Sequence, residues 1–499
     1  MDQPELLLPL SSVDPDGEAI WTPSSSLSWV ELERRARQVS QGIRSLGLEA
    51  GDAWGLLAAN RIEWIELLLG NARTGCRYVP LNWHLTAQEV AELLEDSGAR
   101  FLIVDPANEA VGRDAAGRVG IDRIIVLGPD YEDWVTAQSD GVLPDGPAGA
   151  PLQYTGGTTG RSKGVLRSDQ RVLASESTAG AARWGALVGM PESGRALLCT
   201  PAYHALGGGI IRATLARSHS LAILPEWDPD VLLRTIEERR ITSMAMVPTQ
   251  FVRLLKLPTE MRSANDVSSV EWVLHTAAPC PPWAKRGMIE WFGLGITELY
   301  GSSEGTGPVI CSAAEWLERP GTVGRSSFLE LSVVDDDGND LPPGEIGTVY
   351  VKRPDGAPEY HGDPDKSASM RLPDGRFTVG DVGWLDDEGY LFLADRRVDL
   401  ILSGGTNVYP AEIEGVLSQH PKIADVAVFG IPHPDWGQEI KAVVEPLVDE
   451  TVTEAEILEF AAERLAKFKR PRTVDVVDAL PREASGKLKK RLLRDPYWP

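Results

Sequence analysis

Thr86-Ala87-Gln88-Glu89-Val90-Ala91-Glu92-Leu93-Leu94-Glu95-Asp96-Ser97-Gly98-Ala99-Arg100-Phe101-Leu102-Ile103-Val104-Asp105 holds a whole helix-to-strand unit in twenty residues. Thr86 and Glu89 stand at the spacing of a capping box, in which hydroxyl and carboxylate each satisfy a backbone N–H that the first helical turn leaves unpaired. Gly98 ends the helix, and Phe101 to Asp105 reads as a buried strand because its apolar residues run without alternation. Toward the N-terminus, Ser28-Trp29-Val30-Glu31 repeats the capping box, and Leu32, Ala36, Val39 and Ile43 follow at helical spacing as far as Gly47. Toward the C-terminus, apolar runs at 124–127, 196–199, 221–224, 244–247 and 270–274 alternate with helical stretches such as 228–239 and 281–291. Such alternation predicts parallel sheets layered with helices, an α/β architecture. Past residue 320 the pattern changes to short strands separated by turns such as Asp335-Asp336-Asp337-Gly338, as in an antiparallel sheet or barrel section. After Arg396-Arg397, a helix at 410–419, strands near 423–429 and 440–445, a helix at 453–466 and a strand at 473–477 predict a compact α+β unit.

The chain has 499 residues, which at about 150 residues per domain predicts either three domains or one large domain with an appendage. Its 42% hydrophobic and 24% charged residues are those of an ordinary globular protein and exclude wholesale disorder. Asp and Glu outnumber Lys and Arg by 73 to 49, so a net charge of −24 repels a phosphate backbone and argues against general nucleic-acid binding. Cys76, Cys199, Cys280 and Cys311 lie far apart with no C-x-x-C pair, which argues against a disulfide framework or a local zinc site. With no basic-flanked signal core and no apolar run of about 18 residues, a cytoplasmic protein without a membrane span is expected. Oligomeric state is not legible.

Tyr154-Thr155-Gly156-Gly157-Thr158-Thr159-Gly160-Arg161-Ser162-Lys163-Gly164-Val165 follows a Gly/Pro-rich loop at 141–151. Its glycines let backbone N–H groups converge on an anion, its threonines add donors and Lys163 adds charge, so the segment suits a phosphate. It is not a Walker loop, because Ser162 precedes the lysine and Gly164 follows it. The competing reading is a Gly/Thr turn.

This segment resembles the signature Y-T-S-G-T-T-G-x-P-K-G of the acyl-adenylate-forming (AMP-binding) superfamily. Further segments agree in order: Glu298-Leu299-Tyr300-Gly301-Ser302-Ser303-Glu304-Gly305, Val379-Gly380-Asp381-Val382-Gly383, Asp395-Arg396-Arg397, Leu402 to Glu412, and Leu480-Pro481-Arg482 through Ser485-Gly486-Lys487. The resemblance covers nearly the whole chain. In the Asn82-Trp83-His84-Leu85-Thr86 and Ala277-Ala278-Pro279-Cys280-Pro281 segments it is closest to bacterial fatty-acyl-CoA ligase-like enzymes. The resemblance implies a large N-terminal domain, 1–395, of layered α/β subdomains with a small β-barrel-like section. It also implies a mobile α+β C-terminal domain, 396–499, that rotates between two half-reactions.

The implied chemistry is attack of a carboxylate on the α-phosphorus of MgATP to give acyl-AMP and pyrophosphate, then capture of the acyl group by a nucleophile with release of AMP. The implied nucleotide site comprises Thr155, Gly156, Gly157, Thr158, Thr159, Gly160, Lys163, Ala278, Pro279, Glu298, Tyr300, Gly301, Ser302, Ser303, Asp381 and Arg396. Within it Tyr300 stacks on adenine, Ser303 contacts phosphate, Asp381 accepts from the ribose hydroxyls, and Glu304 holds Mg²⁺, a hard cation that takes oxygen ligands. The alternatives are a solvated turn carboxylate for Glu304, a turn aspartate for Asp381 and a surface ion pair for Arg396.

Lys487 lies in a tail, 467–494, with ten Lys or Arg against three Asp or Glu; a solvated face would explain the run, while the resemblance implies that Lys487 bridges carboxylate and α-phosphate during adenylation. His204 is implied at the acyl site, with a structural histidine as the alternative, and Tyr203, Gly208, Thr276 and Ser302 bracket the acyl pocket. Ser403, Gly404 and Gly405 are implied to face the acceptor, and Trp436, Phe468 and Arg470 match positions that hold CoA. CoA is therefore the expected acceptor, with an amine, giving an amide, as the alternative; a carboxylic acid is the substrate either way. The chain departs from the pattern at Ser162, where proline is frequent, and at Val398, where many relatives carry a hinge Asp or Lys, so the hinge is unassigned.

Overall fold

Both capping boxes close as the sequence requires. Ser28 Oγ accepts from the Glu31 N–H at 3.3 Å and Glu31 Oε2 accepts from the Ser28 N–H at 2.9 Å, opening the helix Trp29–Ser45. Thr86 and Glu89 do the same for Ala87–Ser97, which ends at Gly98 with φ of 63°, a left-handed conformation that glycine adopts at little cost. The computed structural model describes all residues except 1–6, 9, 156–162, 167–171, 355, 397–398, 404–405, 483–487 and 499, and except the side chains of Thr155, Lys366, Asp395 and Arg396.

The expected strands assemble into two parallel layers. Strands Ile124–Val126, Ala99–Val104, Ala53–Leu57, Arg77–Leu81 and Ala150–Pro151 form a five-stranded, all-parallel sheet in that order. In the eight-stranded sheet, Glu18–Trp21, Ser220–Ile223, Arg195–Leu198, Ser243–Met246, Trp272–His275 and Ile296–Tyr300 run parallel, with antiparallel edges at Ser26–Ser28 and Val309–Ser312. Parallel strands need both faces covered, which is why their sequences are apolar runs rather than alternations. Helices Trp29–Ser45 and Ile62–Asn71 fill the layer between the sheets, where Trp54 stacks on Phe101 with centroids 5.4 Å apart. Helices 229–239, 248–255 and 282–292 cover the far face of the larger sheet.

The turn-rich region beyond 320 is an antiparallel sheet of Thr322–Gly324, Leu391–Arg396, Asp381–Leu385, Gly347–Lys352 and Glu330–Val334. The C-terminal unit is built on Ile423–His433 and Gly437–Pro446, eleven- and ten-residue strands paired antiparallel, with Thr473–Val476 added in parallel and helices Pro410–Leu417 and Glu454–Arg464 packed on one face. The hairpin Ile401–Ser403 and Thr406–Val408 was not foreseen, because its three-residue strands are too short to show a period. Among the described residues no helix is long and apolar enough to cross a membrane.

Candidate active site

The carboxyl ends of both parallel sheets open onto one cavity of about 1970 Å³. Thr200 and Thr276 follow strands 195–198 and 272–275 of the larger sheet, and Asn60 and Trp83 follow strands 53–57 and 77–81 of the smaller one. Loops leave an open α/β sheet at this end, which makes it the place where such folds hold ligands.

One wall carries a chain of polar contacts. Lys163, at the start of strand 163–166, donates from Nζ to Asp363 Oδ2 at 2.5 Å and lies 5.6 Å from the centre of the Tyr360 ring. Tyr360 Oη donates to Glu304 Oε1 at 3.1 Å. Strand Glu359–Tyr360 pairs with 163–166, with Tyr360 opposite Val165, and this register brings lysine and carboxylate together. Glu304 is only 9% exposed, yet it lines the cavity beside Gly301, Ser302 and Ser303. Gly305 follows at φ 95°, and its carbonyl accepts from Arg353 Nη1 at 3.1 Å, which fixes the loop.

Tyr300 ends its strand by donating from Oη to Asp381 Oδ2 at 2.7 Å, and Arg396 is the register partner of Asp381. On the opposite side, His204 caps helix Ala205–Ala216 and lines the cavity with Gly208 and Thr276. Tyr203 stands behind them, 2% exposed, its ring edge-on to Trp83 at 4.7 Å and 4.2 Å from His204.

Not every expected residue faces the cavity. Glu298 is buried with its Oε2 2.5 Å from Lys285 Nζ, and neither residue lines the cavity, nor do Ala278 and Pro279. Burial pushes the Glu298 carboxyl up, with the Lys285 ammonium pulling the other way. Gly156, Gly157, Thr158, Thr159, Gly160, Gly404, Gly405 and Lys487 lie outside the described residues, as do the side chains of Thr155 and Arg396.

The C-terminal unit contributes Arg482 to the cavity. Arg482 Nη2 donates to Asp425 Oδ1 at 2.6 Å, and Arg482 pairs with Leu488 in an antiparallel bridge. Ser403 is the register partner of Gly437, which opens strand 437–446 directly after Trp436, and the Arg472 N–H donates to the Ile440 carbonyl of the same strand. Trp436 stacks on His433 at 4.1 Å and carries the Arg472 guanidinium 4.4 Å from its ring; it is 37% exposed and Phe468 51%. Arg470 Nε donates to the Leu465 carbonyl at 2.9 Å. None of Ser403, Trp436, Phe468 and Arg470 lines the cavity. Between the two units, Trp283 Nε1 donates to Ser418 Oγ at 3.0 Å and Lys256 Nζ donates to the Ile423 carbonyl; burial pulls the Lys256 ammonium down to about 8.

Sequence reasoning missed Tyr360, Asp363, Arg353 and Arg212, all at the cavity or its contacts. The first three sit in turn-rich stretches with no spacing signal. Arg212 had one: it is the sole charge in the run Gly207-Gly208-Gly209-Ile210-Ile211-Arg212-Ala213-Thr214-Leu215.

Fold and cavity together define an α/β protein with a large and a small unit and a cavity at the strand carboxyl ends to which the small unit contributes Arg482. A family model described as AMP-binding enzyme matches residues 11–361, a second, AMP-binding enzyme C-terminal domain, matches 412–487, and the chain belongs to this family. A feruloyl-CoA synthase from Amycolatopsis sp is 33% identical over 495 residues, covering 97% of this chain and 96% of the relative. Among solved structures, ATP-bound MatB from Rhodopseudomonas palustris superposes with a TM-score of 0.83 at 31% identity, over 97% of this chain and 96% of that one; the same protein without ATP gives 0.72. The amide bond synthetase McbA from Marinactinospora thermotolerans gives 0.82 at 26% identity, over 96% and 97%.

Proposed function

We propose that the protein is an ATP-dependent ligase that activates a carboxylic acid as acyl-AMP and passes the acyl group to the thiol of CoA, releasing AMP. The observation that carries this is the meeting, at one cavity, of the Lys163–Asp363 and Tyr360–Glu304 contacts with Arg482 of the C-terminal unit. Charged groups from the large unit and Arg482 from the small one thus flank a single space. The relatives support CoA as acceptor, being named a CoA synthase and, for indoleacetate, a CoA ligase.

In this reading Lys163 and the Gly/Thr segment before it take up the phosphates, Tyr300 and Asp381 take the nucleoside, and Arg396, at the boundary between units 1–395 and 396–499, serves the same nucleotide. Glu304 fits Mg²⁺: it is a nearly buried carboxylate that lines the cavity, and a hard cation takes oxygen ligands. When bound, Mg²⁺ supplies neutralisation of phosphate charge. Lys487 holds the attacking carboxylate oxygen against the α-phosphorus, where its charge stabilises the negative charge that develops. The bond from the α-phosphorus to the bridging oxygen breaks, pyrophosphate leaves, and acyl-AMP remains beside His204 and Thr276. Ser403 and Trp436 do not line the cavity, so in this reading a rotation of the C-terminal unit presents them for thioester formation.

The amide-forming reading draws on the McbA likeness alone. The deciding experiment is acid-dependent pyrophosphate release over a panel of carboxylic acids, the best acid then being incubated with MgATP and either CoA or mixed amines and the products weighed. A thioester formed only with CoA is expected; an amide without thioester would reverse the choice of acceptor.

A further inference from the structure

The acyl side of the cavity is mostly apolar, walled by Trp184, Leu206, Gly208 and Gly209, yet it contains Arg212. Gly208 and Arg212 are one helical turn apart on helix Ala205–Ala216 and share a face. That face meets strand 77–81: a Cβ on Gly208 would stand 3.8 Å from Tyr78 Oη. Tyr78 is 4% exposed, its ring wedged 6.0 Å from Trp54 and 6.0 Å from Trp64, with its hydroxyl end at the cavity.

Arg212 has no structural employment here. Among the described residues no carboxylate lies within 4 Å of its guanidinium, and its buried Nε has no hydrogen-bond partner. The contrast with other half-buried arginines is direct: Arg217 donates to the Pro191 and Met190 carbonyls, and Arg195 to the Arg239 carbonyl. The Tyr78 hydroxyl likewise makes no side-chain hydrogen bond among the described residues. A guanidinium in an apolar wall, with an unused phenol beside it, is costly unless a ligand brings the acceptors. A plain alkyl or aryl group would bury both without a partner. Of the carboxylates that line the cavity, Glu176, Glu226 and Glu304, none makes an ion pair with Arg212, and the other cations there are Lys163, Arg183, Arg253, Arg353 and Arg482.

We propose that the acid activated by this protein carries a second carboxylate, distant from the one that is adenylated, and that Arg212 receives it as a fork of paired N–H donors with Tyr78 Oη as a third. This rests on the ligase reading above. Arg212 lies eight residues beyond His204, about 12 Å along the helix axis, so the second group sits well away from the reacting carboxyl.

The test compares three sets of acids matched in length, ending in a carboxylate, a hydroxyl or a methyl group, in acid-dependent pyrophosphate release by the full chain. The wild type is expected to favour the carboxylate-ended set by at least about tenfold in kcat/KM, the effect of a charge-assisted hydrogen-bonded pair. Arg212→Leu should collapse that ratio toward one, and Arg212→Lys should retain part of it. Calorimetric binding of the same acids reads the preference without turnover. A wild type that favours methyl- or hydroxyl-ended acids, or a ratio unchanged in Arg212→Leu, would overturn the proposal. Absence of pyrophosphate release with every acid would overturn the ligase reading instead, and the binding arm would still report on Arg212.

Discussion

Tyr300 Oη donates a 2.7 Å hydrogen bond to Asp381 Oδ2, tying the last residue of strand 296–300 in the large parallel sheet to the first residue of strand 381–385 in the antiparallel sheet. The bond aligns a ring and a carboxylate that are assigned to two ends of one nucleoside. Tyr300→Phe keeps the ring and deletes the bond. Hydrogen bonds to charged groups contribute about 1.5–3 kcal/mol, so the KM for ATP should rise roughly tenfold or more while kcat changes less. Varying ATP at saturating acid checks this; an unaltered KM would mean that Asp381 is held without Tyr300.

Lys163 is already engaged by a carboxylate, Asp363, at 2.5 Å. Phosphate must compete with that partner. Asp363→Asn should therefore lower the KM for ATP severalfold, and Lys163→Ala should raise it. A higher KM in Asp363→Asn would show instead that the carboxylate positions the lysine for its ligand.

Glu298 and Lys285 form a buried pair in the core of the large unit. Removing one partner strands the other charge, so Glu298→Gln should destabilise the protein by about 3–5 kcal/mol while leaving the KM for ATP near that of wild type. Replacing both by leucine should restore most of the loss. Thermal unfolding and ATP titration together decide, since a raised KM with intact stability would return Glu298 to the nucleotide site.

Lys256 ties the two units through the Ile423 carbonyl, and burial holds its ammonium near 8 rather than the ordinary 10.5. The folded form gives up its proton first. The cost of burying that charge is fully present below about 8 and fades as pH rises toward 10.5, so this site adds stability across that window. Wild type should therefore gain in melting temperature relative to Lys256→Met between pH 7.5 and 9.5. Parallel profiles for the two proteins would contradict the assignment.

Much of the fold was legible because its signals are local: the Ser28–Glu31 and Thr86–Glu89 caps and the apolar runs at 196–199 and 244–247 fix elements without reference to distant residues. Locally, only the Gly/Thr segment ending at Lys163 pointed to a phosphate; the rest of the site was legible through resemblance, since nothing local joins Tyr300 to Asp381 or Lys163 to Asp363. What escaped was set by register and packing. Tyr360 reaches Glu304 because a two-residue strand pairs with 163–166.

The most direct test of the central claim is a single-turnover experiment without CoA, following acyl-AMP and pyrophosphate in wild type and in Lys487→Ala. The wild type should form both in equal amounts. Lys487→Ala should form them at least about 10²-fold more slowly, as expected for loss of one group that stabilises developing charge, while still binding ATP and still converting synthetic acyl-AMP and CoA to thioester. Acyl-AMP formation at the wild-type rate in Lys487→Ala would contradict the account.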